Sequence, residues 1–357
     1  MMSKDTYKYV IGLMSGTSLD GLDVAYLKFN TGNLADFEII TAETIPYNAD
    51  WQADLKNAFD MSAVDLAELD ARYGKYLGKQ VNDFIKRHDI KHVDLIASHG
   101  QTVFHRPEAG YTTQIGSGAH INAVTCIKTI CDFRTQDVAL GGQGAPLVPV
   151  GDRYLFGNYD YCLNIGGFAN ISFETDGKRL AYDICPANIV LNHYVGQKGL
   201  AYDDKGQIAA SGSINQELLN QLNHLEFYQG VEPKSLGWEY VTEQIIPLID
   251  AYHLSIPDVL KTYVEHIALQ IGQKTTGGSM LITGGGAHNT YLIQQIRKYS
   301  PAKVVIPDKT LIDYKEALIF GLLGLLKEQN KINILSSVTG SRFDHSSGVV
   351  FDAFINR

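Results

Sequence analysis

The sequence predicts an α/β protein of two domains, and three observations lead there. The chain has 357 residues, more than the roughly 100–200 of one ordinary domain. Apolar runs of strand length, closed by Gly, Asp or Pro, alternate with stretches whose apolar residues recur at helical spacing. Glycine-rich turns follow three of the strand-like runs, within residues 12–21, 166–170 and 284–289.

In order, residues 9–13 and 24–29 read as strands joined by Ser15, Gly16, Thr17, Ser18, Leu19, Asp20, Gly21 and Leu22. Asp20-Gly21 is a hairpin signal. Glycines there let backbone N–H groups close on an anion. Ser15, Thr17 and Ser18 add hydroxyl donors, and Asp20 is a carboxylate for hydrated Mg²⁺. The same residues also make an ordinary polar hairpin. The stretch is not a Walker A loop, since Gly-Lys-[Ser/Thr] is missing. Residues 36–44 continue as a strand. Ser62 with Asp65 starts a long amphipathic helix through Leu66, Leu69, Tyr73, Leu77, Val81 and Phe84.

Residues 93–98 form a strand that runs into His99, Gly100 and Gln101, a common position for a site in α/β folds. His99 and His105 stand six apart, which fits no standard metal motif. Residues 121–125 and 127–133 continue the apolar runs, ending at Asp132-Phe133-Arg134. The glycines and prolines of 139–149 suggest a hinge between domains. Residues 161–165 and 171–173 flank Gly166 and Gly167, repeating the strand, glycine turn, strand layout. Two such loops, one per domain, suit a clamp on a polyphosphate.

Residues 179–183 deliver Asp183 next to a helix start at Pro186 and Asn188. A carboxylate there serves either as an acid–base group or as a helix cap. Helical patterns cover 214–225, 241–252 and 259–273. Gly284, Gly285 and Gly286 lie between a strand, 279–283, and a helix, and they permit close approach of a flat ligand or a phosphate. Glu316 opens the last long helix, either as a second candidate carboxylate or as a complement to the helix dipole. Residues 349–351 are expected to return to the first domain.

Composition narrows the class. Hydrophobic residues are 45%, charged residues 19%, and the net charge is −9. With no Lys/Arg cluster, a nucleic-acid or anionic-membrane surface is not expected. Cys126, Cys131, Cys162 and Cys185 show no C-x-x-C pairing, which points to reduced thiols in a cytoplasmic protein and not to zinc. Residues 1–8 are polar and do not read as a secretory signal. No apolar stretch reaches the ~20 residues of a membrane span.

The three glycine turns, in this order, resemble those of the sugar kinase, heat-shock ATPase and actin superfamily. Within it, residues 12–21, His99-Gly100-Gln101-Thr102, His105-Arg106-Pro107, Asp132-Phe133-Arg134, 141–149, 164–171 and 284–289 resemble the anhydro-N-acetylmuramic acid kinase family over nearly the whole chain. One departure stands out. Where that family often reads Asp-Thr-Gly-Pro-Gly-Asn, this chain has Asp183-Ile184-Cys185-Pro186-Ala187-Asn188.

The resemblance implies a two-lobed, actin-like ATPase (ribonuclease H-like) fold with ATP in the cleft between the lobes. It places one lobe at 1–131 plus about 338–357 and the other at 132–337. It implies a kinase that uses ATP and water to open 1,6-anhydro-N-acetylmuramic acid and yields N-acetylmuramic acid 6-phosphate, a step of peptidoglycan recycling. Asp183 is then the base, with Glu316 a second carboxylate. Residues 15–22, Gly166 and Gly167 grip the phosphates, Gly284 to Gly286 meet the adenosine, and Asp20 partners Mg²⁺. His99, Gln101, Arg134 and Asn188 touch the sugar, Arg134 suiting its lactyl carboxylate. A cytoplasmic homodimer is implied. Two rivals remain: a superfamily kinase acting on another amino sugar, and an actin-like nucleotide-gated protein with no small substrate.

Overall fold

The computed structural model describes residues 7–16, 19–230 and 235–354. It divides into two compact units, residues 1–157 with 314–357, and residues 158–313.

The first unit is built on strands β1 (Tyr7–Ser15), β2 (Gly21–Asn30), β3 (Phe37–Pro46), β4 (Leu95–Ser98), β7 (Thr129–Cys131) and β13 (Val349–Phe351), in the order β13-β7-β4-β1-β2-β3. β1, β2 and β3 are antiparallel neighbours, whereas β1, β4 and β7 run parallel. β1 is apolar on both faces because helices cover both. Ile11 and Leu13 pack with Leu69, Tyr73, Leu77 and Val81 of the helix Ala63–Arg87. That helix starts at Ser62, whose hydroxyl accepts from the Asp65 amide. The opposite face of β1 meets the helix Lys309–Glu328. A Cβ on Gly12 would sit 2.0 Å from the Ala317 carbonyl oxygen, so only glycine lets helix and strand approach this closely. β5 (Gln101–Arg106) and β6 (Tyr111–Ile115) form a separate hairpin.

The second unit holds β8 (Tyr161–Ile165), β9 (Phe168–Thr175), β10 (Lys178–Pro186), β11 (Ser279–Thr283) and β12 (Lys303–Val305), ordered β10-β9-β8-β11-β12. β8, β9 and β10 are antiparallel, and β8, β11 and β12 parallel. This is the arrangement β3-β2-β1-β4-β7 over again. Each unit thus has the ribonuclease H-like topology that the resemblance implies. Leu163, Ile165, Ile171 and Ile282 pack with Leu260, Val264 and Ile267 of the helix Ile256–Gly272.

The unit boundaries differ from the expected 131/132 and 337/338. Gly151, in the helix Val148–Leu155, packs against Ile319, and Gly321 and Gly324 pack against Leu27 and Ala97. Both helical segments are thereby held on the first sheet. The expected hinge at 141–144 also lies inside the first unit. There the buried Asp137 carboxylate accepts the Gly144 amide at 2.7 Å and the Thr339 hydroxyl at 2.7 Å. The apolar run 121–125 belongs to the helix Gly118–Thr125, an assignment that so short a run does not decide by its period. Among the described residues no helix is long and apolar enough to cross a membrane.

Candidate active site

In the first unit Gly16, Leu19 and Asp20 lie between β1 and β2; Gly21 and Leu22 belong to β2, with Leu22 paired to Ser15. The backbone turns through Leu19 at φ 54°, its amide donating to the Gly16 carbonyl. Asp20 lies exposed on this turn. Thr17 and Ser18 lie outside the described residues. Ser15 is only 3% exposed. Its hydroxyl is engaged by Gln101 Oε1 at 2.5 Å and the Tyr47 hydroxyl at 2.8 Å. This corrects the expectation of a Ser15 hydroxyl aimed at phosphate: its side chain points into the unit.

β4 ends at Ser98, so His99 and Gln101 stand at a parallel strand's C-terminal end. His99 is buried. Its Nε2 accepts from Arg134 Nε at 3.0 Å, and its Nδ1 lies 2.9 Å from the Gly100 carbonyl. Those two bonds assign a neutral imidazole with the proton on Nδ1. Burial, then the Arg134 charge, push its pKa down to about 3, so it stays neutral at working pH. Burial lowers Arg134 to about 10, which leaves it cationic; Glu316 and Asp137 pull the other way. Arg134 Nη1 donates to the Gly144 carbonyl at 2.5 Å. The stretch 141–149 therefore acts as a bracket for Arg134, with Asp137 fastening it.

Glu316 is open to solvent. Surrounding protein raises its carboxyl above the usual carboxylate range, while Arg134 and then Lys315 oppose the rise. The helix begins at Lys309. Glu316 therefore stands two turns in, and a helix-end dipole role does not apply to it. A cavity of about 220 Å³ lies beside this group, between His99, Gly100, β6 and Asp132. Of the sequence candidates only His99 lines it.

In the second unit Gly166 and Gly167 connect β8 to β9. Their carbonyls accept the amides of Ala187, Asn188 and Ile189 at the start of the helix Asn188–Gly196. A Cβ on either glycine would find nothing closer than 3.6 Å, so packing within the unit does not demand glycine there. The three glycines after β11 differ from one another. Gly284, at φ 81°, and Gly286 press on Asn164 and Ile165, where a Cβ would come within 2.6 and 2.3 Å. Gly285 has open space. Only Gly285 is left without a packing reason, and it is the place where a ligand can approach the backbone. Asn188 Nδ2 donates to the Ile165 carbonyl at 3.4 Å.

Asp183 sits in β10, three residues before its end, beside a bulge at Ile184. It is half-buried, and its Oδ2 accepts the Leu236 amide at 2.9 Å. Burial raises its carboxyl, with the Leu236 bond opposing. Strand register puts Thr283, Asn164, Asn170 and Asp183 in one row across β11, β8, β9 and β10. Paired residues share a sheet face, so two asparagines flank the line to Asp183. Read from sequence alone, neither of them carries a role of its own. Their signal was the period of two that carries Asn164 and Asn170 to equal distances from the hairpin tip. Cys185 and Ala187 are both buried, and burial, with the Asp183 charge adding to it, holds the Cys185 thiol protonated.

Among the described residues no three His, Cys, Asp or Glu side chains cluster as metal ligands. The carboxylate that the sequence offers as a metal partner, Asp20, is exposed on the turn after β1.

A model of the anhydro-N-acetylmuramic acid kinase family matches residues 8–353. The chain is 35% identical over 360 residues to the anhydro-N-acetylmuramic acid kinase of Xylella fastidiosa, covering 93% of each chain. It is 34% identical over 371 residues to that of Aliivibrio fischeri, covering 96% of this chain and 99% of the relative. To that of Rippkaea orientalis it is 33% identical over 355 residues, covering 88% and 91%.

Proposed function

The chain belongs to the anhydro-N-acetylmuramic acid kinase family, and on that premise we propose how its residues carry an ATP-dependent opening and phosphorylation of 1,6-anhydro-N-acetylmuramic acid. A water attacks the anomeric carbon and gives its proton to Asp183. The bond from that carbon to the bridging 6-oxygen breaks. The freed oxygen attacks the γ-phosphorus, the β,γ-bridge breaks, and ADP leaves with N-acetylmuramic acid 6-phosphate as the product. Phosphoryl transfer of this kind needs alignment and charge neutralisation more than covalent help.

Asp183 carries the reading. A half-buried carboxylate with a raised pKa is a stronger base than a solvated one. The backbone of 16–20 and of Gly166 and Gly167 is read as the phosphate grip, and Gly285 as the adenosine approach. Arg134, held cationic by its bracket, suits the lactyl carboxylate. His99 offers no proton at neutral pH and serves to aim Arg134. Glu316, Gln101 and Asn188 complete the sugar side. Mg²⁺ would neutralise phosphate charge, with Asp20 its protein partner. A cytoplasmic homodimer belongs to the same reading.

The test is Asp183→Asn assayed on the anhydro sugar, with the product read by mass. Turnover is expected to fall by about 10²–10⁴ while ATP binding is retained. Normal turnover by this variant removes Asp183 as the base. In the parent enzyme the product gains both water and a phosphoryl group; a product lacking the water contradicts hydrolytic opening.

A further inference from the structure

We propose that Gln101 meets the sugar as a hydrogen-bond donor, held in that sense by a one-way chain of buried hydroxyls running from Tyr73 through Tyr47 and Ser15. This rests on the reading of Gln101 as a sugar contact. It adds the kind of atom the sugar offers there: an accepting oxygen of a carbonyl, ether or carboxylate.

The four side chains are nearly sealed, at 0% exposure for Tyr73, 5% for Tyr47, 3% for Ser15 and 4% for Gln101. The Tyr73 and Tyr47 hydroxyls are 2.5 Å apart, Tyr47 and Ser15 2.8 Å, and Ser15 and Gln101 Oε1 2.5 Å. A glutamine amide must be assigned from its network, and each hydroxyl has one hydrogen to give. Two directions are therefore conceivable.

If Gln101 donated to Ser15, Ser15 would donate to Tyr47 and Tyr47 to Tyr73. The Tyr73 hydrogen would then lose Tyr47, its partner at 2.5 Å, and could turn only to the Ser15 oxygen, which Gln101 would already be using. A sealed donor without an acceptor is the costly case. In the opposite direction Tyr73 gives to Tyr47, Tyr47 to Ser15, and Ser15 to Gln101 Oε1. Every hydroxyl hydrogen is used.

Gln101 Nε2 then keeps two N–H groups with no protein acceptor among the described residues. Nε2 is not among the sealed atoms that lack a partner, so it reaches the surface, where an accepting atom of the ligand can meet it. Burial pushes Tyr47 up to about 12, so its hydroxyl stays protonated across the working range. Ser15, the last residue of β1, ties this chain to the turn that follows it.

The test compares Gln101→Glu and Gln101→Ala in the full-length enzyme, with KM measured separately for anhydro sugar and for ATP. A glutamate keeps the shape and the Ser15 bond but offers only acceptors to the sugar. Both variants are expected to raise the sugar KM roughly tenfold to a hundredfold, Glu at least as much as Ala, with the ATP KM within about twofold. A Glu variant with near-normal sugar KM beside an impaired Ala variant overturns the donor assignment and leaves the contact intact. A normal Ala variant overturns both. If the Glu variant does not fold, Ser15→Ala replaces it: freeing Oε1 is expected to raise the sugar KM several-fold, and an unchanged sugar KM overturns the proposal.

Discussion

At the scale of single residues, the half-buried Asp183 and the buried His99 pull stability in opposite directions with pH. Asp183 has a raised pKa in the fold, so the native state holds its proton to a higher pH than the unfolded chain does. Its contribution is favourable at low pH and is lost as pH rises through the folded value. Asp183→Asn is therefore expected to melt at a higher temperature than the parent at pH 7, with the difference closing as pH falls toward 4. An equal gain at both pH values would contradict the assignment. His99 behaves oppositely. Its folded value is about 3 against about 6.5 unfolded. Its contribution is complete above about 6.5 and drains away as pH falls toward 3, at up to about 1.4 kcal/mol per pH unit. His99→Gln should lose less stability than the parent between pH 7 and pH 4.5 in urea titrations. Parallel losses would mean that other groups set the acid limb.

At the scale of elements, the glycine turn after β11 separates packing from function. A methyl on Gly286 would land 2.3 Å from Ile165 Cγ2. Gly286→Ala is therefore expected to cost about 1–3 kcal/mol of stability. Gly285→Ala meets open space, so its melting temperature should hold while the KM for ATP rises. If both variants behave alike, the backbone of Gly285 is not a ligand surface. Sequence reading could find this turn, because strand, glycines and helix lie consecutively. It could equally find β1, β2 and the helix Ala63–Arg87, whose periods are clear. It could not find β5 and β6, because Gln101, Thr102, His105 and Thr112 break any apolar alternation. Tyr47 and Tyr73 stand 26 residues apart, on a loop and a helix, and no local pattern links them to Gln101. Arg134 was legible as a site residue, but its bracket was not: Asp137 and Thr339 meet across 202 positions.

At the scale of the whole molecule, the chain passes between its units twice, near residues 157 and 313. The stretch 141–144 is fastened inside the first unit, and the helix Lys309–Glu328 runs unbroken through the second passage. Addition of anhydro sugar with a non-hydrolysable ATP analogue is expected to reduce the radius of gyration in solution scattering; identical profiles would count against closure. Residues 158–313 interrupt the first unit's own sequence, and this has a consequence during synthesis. The groove at Gly12 waits for Ala317, and β7 waits for β13. At the roughly 5–20 residues per second of a ribosome, the inserted stretch takes about 10–30 s to emerge. For that interval the newborn first sheet is a half-covered surface, and the cell's holdases have that long to find it.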